Sequence, residues 1–409
     1  MNHSKKSLIP ILPLFLVLFI DGMGLGIFFP ILNGLIISTD STFLPKSVSL
    51  IQRELYYGII ISVFMFCWFF GAALLGDWSD TIGRKRALII CLLGSFLGYL
   101  ISAIAVVYSS FWGIIVGRVI AGFTAGSQPI AQAAIVDVSD EDSLADNMGW
   151  MLLCVSLGFV CGPLIGGLLS DHALLSLFDF DFPLYFAAAI SLLNAIFLWT
   201  SFKETFTIKG KLHFRLHHAI MIFISAFTHK TIRQISLIFF VMMLGWSAYF
   251  NFSLVYMENL YHLGREGSAF FMGAIGLGFA LGFGPCLKFL TARYSLKSIT
   301  MTGFILSGII ILSIISIPNQ VTAWIGAVLV GTTVACSYST ILTIFSKQVD
   351  ANEQGWVMGV TGAVLALTFG VTALCTGYAA RYGVNFPLIF SGVCLVLSGL
   401  LMIRFKTKK

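Results

Sequence analysis

Two ionisable side chains, Asp21 and Arg118, stand deep within apolar runs of the chain. A charge inside a bilayer is expensive, and it persists where it has a partner or faces a water-filled cavity. Burial favours the neutral form of a carboxyl group, whereas a nearby cation favours the charged form. A carboxylate under both influences can exchange a proton. Asp21 is therefore expected to be a proton-coupling group, with Arg118 as its electrostatic modulator. The competing reading is a fixed Asp21–Arg118 pair that only holds helices together. A cavity for a bulky organic compound needs apolar and aromatic walls with a few polar groups. Candidates are Trp246, Tyr249 and Asn251 in the seventh apolar run, Gln128 and Gln132 in the fourth, Tyr338 in the tenth and Asn33 in the first. Each could equally be helix packing. No metal site is expected. His213 and His217 have i, i+4 spacing but no carboxylate or Cys nearby in sequence, and the eight Cys form no CxxC pair.

The elements that must position these groups follow from composition. Of 409 residues, 58% are hydrophobic and only 10% are charged, against about 25% in an ordinary soluble domain. So few charges could not cover a soluble surface, and so apolar a chain is not disordered. A mean hydropathy of +0.95 points to lipid as the solvent. A helical span needs about 20 apolar residues. Twelve such runs are read: 8–37, 55–77, 86–108, 111–135, 146–170, 183–202, 233–257, 267–290, 297–317, 320–346, 355–380 and 385–405. They are helices, because lipid offers no partner to an unpaired backbone, and no alternating barrel strands occur. The expected fold class is an all-α membrane protein with twelve transmembrane helices. The first run is taken as a retained span rather than a leader, since it is long, contains Asp21 and lacks a cleavage site.

Positive charge orients the spans. With a cytoplasmic N-terminus, nineteen Lys and Arg fall on cytoplasmic segments, and only Lys46, Arg53, Arg265 and Arg381 fall on external loops. Both termini are thus expected in the cytoplasm, with the chain in a bacterial inner membrane. The net charge of +6 is a topology signal, so nucleic acid is not an expected partner.

The segment 203–232 is basic and His-rich, with a short amphipathic helix expected over 213–227 at the headgroups. It separates residues 1–202 from 233–409. These two parts resemble each other. Phe182-Pro183-Leu184 opens the sixth span and Phe386-Pro387-Leu388 the twelfth; Met148-Gly149 enters the fifth and Met358-Gly359 the eleventh. Two pseudo-symmetric six-helix halves imply a transporter with its site near the midplane between them.

The second–third loop reads Gly76-Asp77-Trp78-Ser79-Asp80-Thr81-Ile82-Gly83-Arg84-Lys85-Arg86. It resembles the cytoplasmic signature of the major facilitator superfamily. Gly76, Asp80, Gly83, Arg84 and Lys85 match, while Trp78 and Thr81 replace the usual Leu and Arg. The resemblance implies a cytoplasmic gate. Gly76 would admit a neighbouring helix, and Asp80 would accept bonds from a helix N-terminus and from Arg84. The second-half counterpart, Lys288 to Ser295, has Ala292 in place of the Asp, so the gate is expected on one side only. Arg118 with Gly122 resembles the second motif of the superfamily. Gly158, Gly162, Pro163, Gly166 and Gly167 resemble the motif of its drug–proton antiporters, in which small residues permit close packing. Asp21 and the residues after it resemble the acidic first span of tetracycline-type efflux proteins.

The resemblance implies a monomeric, proton-coupled antiporter that exports a small organic compound by alternating access. It would use the proton gradient and no cofactor. The alternative on the same fold is an importer or facilitator of a metabolite or siderophore. No P-loop frame surrounds Gly83-Arg84-Lys85, and no clustered His, Asp or Ser suggests an enzyme. The acidic run Asp137, Asp140, Glu141, Asp142 and Asp146 is expected as a solvated loop that meets basic loops of the other half.

Overall fold

The computed structural model describes residues 11–38, 41–172, 174–205, 217–350, 353–379 and 382–405, and its regular elements are all helical. In the first half they are α1 (Leu12–Leu32), α2 (Leu50–Ile82), α3 (Arg84–Val107), α4 (Phe111–Thr124), α5 (Ser127–Val138), α6 (Glu141–Leu168) and α7 (Phe182–Ser201). Then come α8 (His217–Thr228), α9 (Arg233–Tyr261), α10 (Gly264–Leu281), α11 (Leu287–Thr291), α12 (Leu296–Ser316), α13 (Gln320–Gln348), α14 (Gln354–Ala379) and α15 (Phe386–Arg404). Among the described residues, eleven stretches are long and apolar enough to cross a membrane. The fifth expected span coincides with α6, whose described apolar stretch, Leu153–Leu168, is shorter. The count of twelve is therefore not reproduced by length and hydropathy alone. Many large apolar side chains face outward, among them Leu193, Trp199 and Val321. In water such a surface would aggregate; in lipid it is solvated.

Three spans depart from simple helices. After Pro30, α1 widens into a π-helical stretch, Asn33–Ile37, closed by the Ser38 amide on the Asn33 carbonyl. Beyond Leu281, α10 passes through a second such stretch, Gly282–Cys286, which contains Pro285. Proline lacks the N–H that the ladder needs. The fourth span breaks at Ala125 and Gly126 into α4 and α5. Pro129 lies in the first turn of α5, where its missing donor costs nothing. The second span starts at Leu50, earlier than expected, because Ser49 and Gln52 form a capping box.

Helices α1 and α6 run parallel in close contact. A methyl group added at Gly158 would strike the Phe19 carbonyl, one at Gly162 the Met23 carbonyl and one at Gly166 the Ile27 carbonyl. From the other side Gly22 meets the Val155 carbonyl and Gly26 meets Pro163. The glycines expected to pack thus bring α6 against the helix that carries Asp21. The other face of α6 meets α10, where Gly276 and Gly273 receive Val160 and Leu164. Across the molecule α2 meets α14, with Gly58 against the Ala373 carbonyl and the Ser62 hydroxyl donating to the Gly370 carbonyl. These pairs, α6–α10 and α2–α14, join the two halves.

The bundle has two ends. The basic end carries Arg84, Lys85 and Arg86; the far end carries the turns after α1 and α9. At the basic end α8 packs its apolar face onto the bundle rather than lying free at the surface. Phe223 meets Phe69 of α2, and Trp356 Nε1 of α14 donates to Ser225 Oγ at 3.1 Å. His213 lies outside the described residues.

Candidate functional site

Asp21 stands near the middle of α1, beside the break in the fourth span. The Ser127 hydroxyl, in the first turn of α5, donates to its carboxylate at 2.7 Å. A small cavity opens there, lined by Asp21, Phe64, Trp68, Ser95, Tyr99 and Gln128, among others. The break starts a new helix at Ser127, and its hydroxyl faces Asp21 instead of a carbonyl of its own chain segment. Tyr99 stacks on Phe28 with ring centroids 6.1 Å apart, and its hydroxyl occupies the space left by Gly24.

Arg118 is 2% exposed and makes no ion pair with Asp21. Its guanidinium lies between two ring faces, 4.1 Å from the Phe28 centroid and 3.9 Å from that of Phe64. Nε and Nη1 have no hydrogen-bond partner. Cation–π contact replaces the carboxylate as the stabilising partner. Ser127, which holds Asp21, is nine positions beyond Arg118 and on the other side of the break at Ala125 and Gly126. The fixed Asp21–Arg118 salt bridge is therefore absent from this structure, while both groups share the same aromatic wall, Phe64.

Of the expected cavity residues, only Gln128 lines the Asp21 cavity. Gln132 lies one turn further along α5 and is half-buried. Trp246 and Tyr249 are packed among rings of the second half, with Trp246 5.4 Å from Phe279 and 5.3 Å from Phe250. Phe250 in turn meets Phe29 of α1 at 4.9 Å. Asn251 is a structural cross-link, since its Nδ2 donates to the Phe369 carbonyl and to Thr372 Oγ1 of α14. Tyr338 packs against Phe239. Asn33 is not beside Asp21 at all. Twelve residues further along the first span, it reaches the far end, roughly 18 Å away.

At the far end the halves are stitched together. Asn33 Nδ2 donates to Ser268 Oγ at 3.1 Å and approaches Glu258 Oε2 at 3.5 Å. Asn259 Nδ2 donates to Glu54 Oε1 at 3.0 Å. Arg53, expected in an external loop, is 2% exposed. Its guanidinium binds the carbonyls of Ile36, Ser38 and Pro45, which ties the turn after α1 to α2. Ser127, Glu54, Asn259 and Ser268 were not legible as site residues. The run Gly126-Ser127-Gln128-Pro129 and the Ser49–Gln52 box were the available signals for the first two.

The basic end is organised within the first half. Arg84 bonds Asp80 and Ser79 Oγ, each at 2.6 Å, and reaches Asp137 at 3.5 Å. The N-terminus of α3 is capped by Glu204, which accepts from the Arg84 and Lys85 amides at 2.9 and 3.1 Å. Asp80 was expected in that role; Glu204 takes it because it arrives from beyond α7 directly over Gly83. At φ +97° Gly83 adopts a conformation that side chains disfavour, and a Cβ there would overlap Glu204. Gly76 has open space where a side chain would project, so the expected close helix approach is not made. Asp137 pairs within its own half rather than with the other. Asp140 heads α6 in a capping box with Ser143. The side chains of Glu141, Asp142 and Asp146 lie outside the described residues. In the second half Arg293 rests on the Phe289 ring at 4.0 Å.

The comparisons with known proteins agree with this architecture. The tetracycline resistance protein, class C, of Escherichia coli is 25% identical over 357 residues, covering 85% of this chain and 84% of that protein. The class E protein of Escherichia coli is 34% identical over 175 residues; there the match takes in 43% of this chain and the chain spans only 39% of its relative. The crystal structure of a D-xylose-proton symporter superposes with a TM-score of 0.74 at 15% identity, covering 97% of this chain and 98% of the symporter. The family model of the Major Facilitator Superfamily matches residues 14–373. This chain belongs to the Major Facilitator Superfamily of membrane transporters.

Proposed function

We propose that the chain is a proton-coupled antiporter that exports a small organic compound by alternating access. It works as a monomer in a bacterial inner membrane, with the basic end and both termini in the cytoplasm. One observation carries the reading: Asp21 lines a cavity with aromatic walls and is held by the neutral donor Ser127 rather than by a cation. A carboxylate neutralised by a salt bridge resists protonation; one held by a hydroxyl can take a proton or meet a substrate. Arg118, caged between Phe28 and Phe64, contributes a positive field without neutralising Asp21. The likeness to tetracycline resistance proteins supports an organic compound as cargo and outward transport as the direction. Proton entry is a sufficient drive, since one charge crossing is worth about 2.3 kcal/mol per 100 mV before the pH term is added.

The test is Asp21→Asn in proteoliposomes, with tetracycline and a panel of aromatic compounds as probes. Transport driven by a pH gradient should be lost, while membrane insertion and substrate exchange without a gradient persist. Gradient-driven transport equal to the parent would remove Asp21 from the mechanism. Coupled movement of proton and compound in the same direction would replace export by symport.

A further inference from the structure

The far end holds a titratable group that the scheme above does not use. Glu54 is 5% exposed and accepts the Asn259 amide across the two halves. The repeat supplies an internal comparison. Asn33 and Asn259 both stand at or near the far end of the first helix of their half. Each donates to the fifth residue of the second helix of the other half. For Asn259 that residue is Glu54, fifth in α2; for Asn33 it is Ser268, fifth in α10. The Ser268 bridge, at 3.1 Å, shows that a neutral hydroxyl completes this cross-half bond, with Glu258 further off at 3.5 Å. The bridge at position 54 therefore does not require a carboxylate. A buried carboxylate costs more than a hydroxyl, and what it adds is the ability to bind a proton.

We propose that Glu54 is a second proton-binding site, which seals the far end when ionised and loosens it when protonated. This rests on the proton-coupled reading and adds to it the control of far-end opening. The ionised form receives a charge-assisted bond from Asn259, about twice as strong as a neutral one. Protonation removes that advantage and lets the halves part. The groups around Glu54 do not duplicate the role. Arg53 is turned to backbone carbonyls, and Arg118 on α4 is caged by rings at a deeper level. The Tyr57 hydroxyl, one turn along α2, is buried without a partner. The π-helical stretch after α1 brings no charged side chain, and His262 and Glu266 in the α9–α10 turn are exposed. On α14 the nearest described titratable groups are Cys375 and Tyr378, both exposed. Glu258, beside Asn259 on α9, is the other carboxylate that approaches a cross-half partner among the described residues, and between α6 and α7 His172 and Asp179 pair with each other at 3.5 Å.

Hydrogen exchange of the purified full chain, without substrate, tests this. Rates at 33–38 and 258–268 are followed from about pH 8 to about pH 5 and corrected for the intrinsic pH dependence of exchange. Protection in the parent should fall several-fold on acidification. In Glu54→Gln it should be low at every pH, and in Glu258→Gln the parental response should remain. A full pH response in Glu54→Gln, no response in the parent, or loss of the response in Glu258→Gln would each overturn the proposal. If Glu54→Gln does not fold, Asn259→Ala keeps the carboxyl group and removes its donor. Low, pH-independent protection is then expected, and parental behaviour refutes the assignment. The readout needs no transport, so failure of this proposal and failure of the coupling reading in Asp21→Asn are told apart.

Discussion

At the basic end, Arg84 gathers Asp80, Ser79 and Asp137 within the first half, and Glu204, at the start of the segment that leads out of it, caps α3. At the far end, Asn33 and Asn259 cross to the other half, over sequence separations of 205 to 235 residues. The charged groups of the basic end thus brace the first half, with α8 bridging α2 and α14 through apolar and neutral contacts, whereas the far end is a stitch of polar side chains between the two halves. The stitch is made of short amide, hydroxyl and carboxyl groups, which water can replace when the halves part. The brace contains charged groups at helix ends, where they fix the geometry of α2, α3 and α5 relative to one another. Motions of the whole molecule should therefore be far more sensitive to the far end in this conformation.

Asn33→Ala should have the largest effect. It removes the donor to Ser268 and the approach to Glu258, costing the closed far end about 2 kcal/mol. Labelling of engineered far-end cysteines should rise by more than tenfold, with the basic loop unaffected. Unchanged labelling would show that apolar packing alone closes that end. Arg84→Ala comes next, at about 1–2 kcal/mol, because three partners are lost but Asp80 is largely exposed. Its effect should appear as a lower melting temperature of the first half and faster exchange around residues 80–90. If it opened the far end as strongly as Asn33→Ala, the two ends would be one coupled network and the contrast would fail. Glu204→Gln should be smallest, about 0.5–1 kcal/mol, since the charge at the N-terminus of α3 and one of the two accepted amide bonds are lost while the remaining oxygen still accepts the other. Exchange of the Arg84 and Lys85 amides is the measurement; a change confined to them sharpens the brace reading.

The basic end was legible because its chemistry is local. Asp80 and Arg84 are four residues apart around one turn, and their spacing encodes the contact. Glu204 was missed because it returns to Gly83 from beyond five intervening helices, α3 to α7. The α1–α6 packing was half legible: the glycine spacing announced a close neighbour but not which helix it would be. Asp21 and Arg118 stand out in the sequence by their depth, yet they are not paired in the structure, because the break at Gly126 brings Ser127 to Asp21 and leaves Arg118 to the rings. Glu54 escaped notice because the start of its helix was placed one turn late.

By itself the amino-acid sequence determined the solvent, the class of fold and the two ionisable groups deepest in the apolar runs. Lipid tolerates so few ionisable groups that composition and spacing alone expose them. The tertiary structure alone decided their partners. Which amide meets which carboxyl across the far end depends on how two halves dock, and docking is the sum of many weak apolar contacts that no local pattern encodes. Ser127 on Asp21, rings on Arg118 and Asn259 on Glu54 are outcomes of that sum.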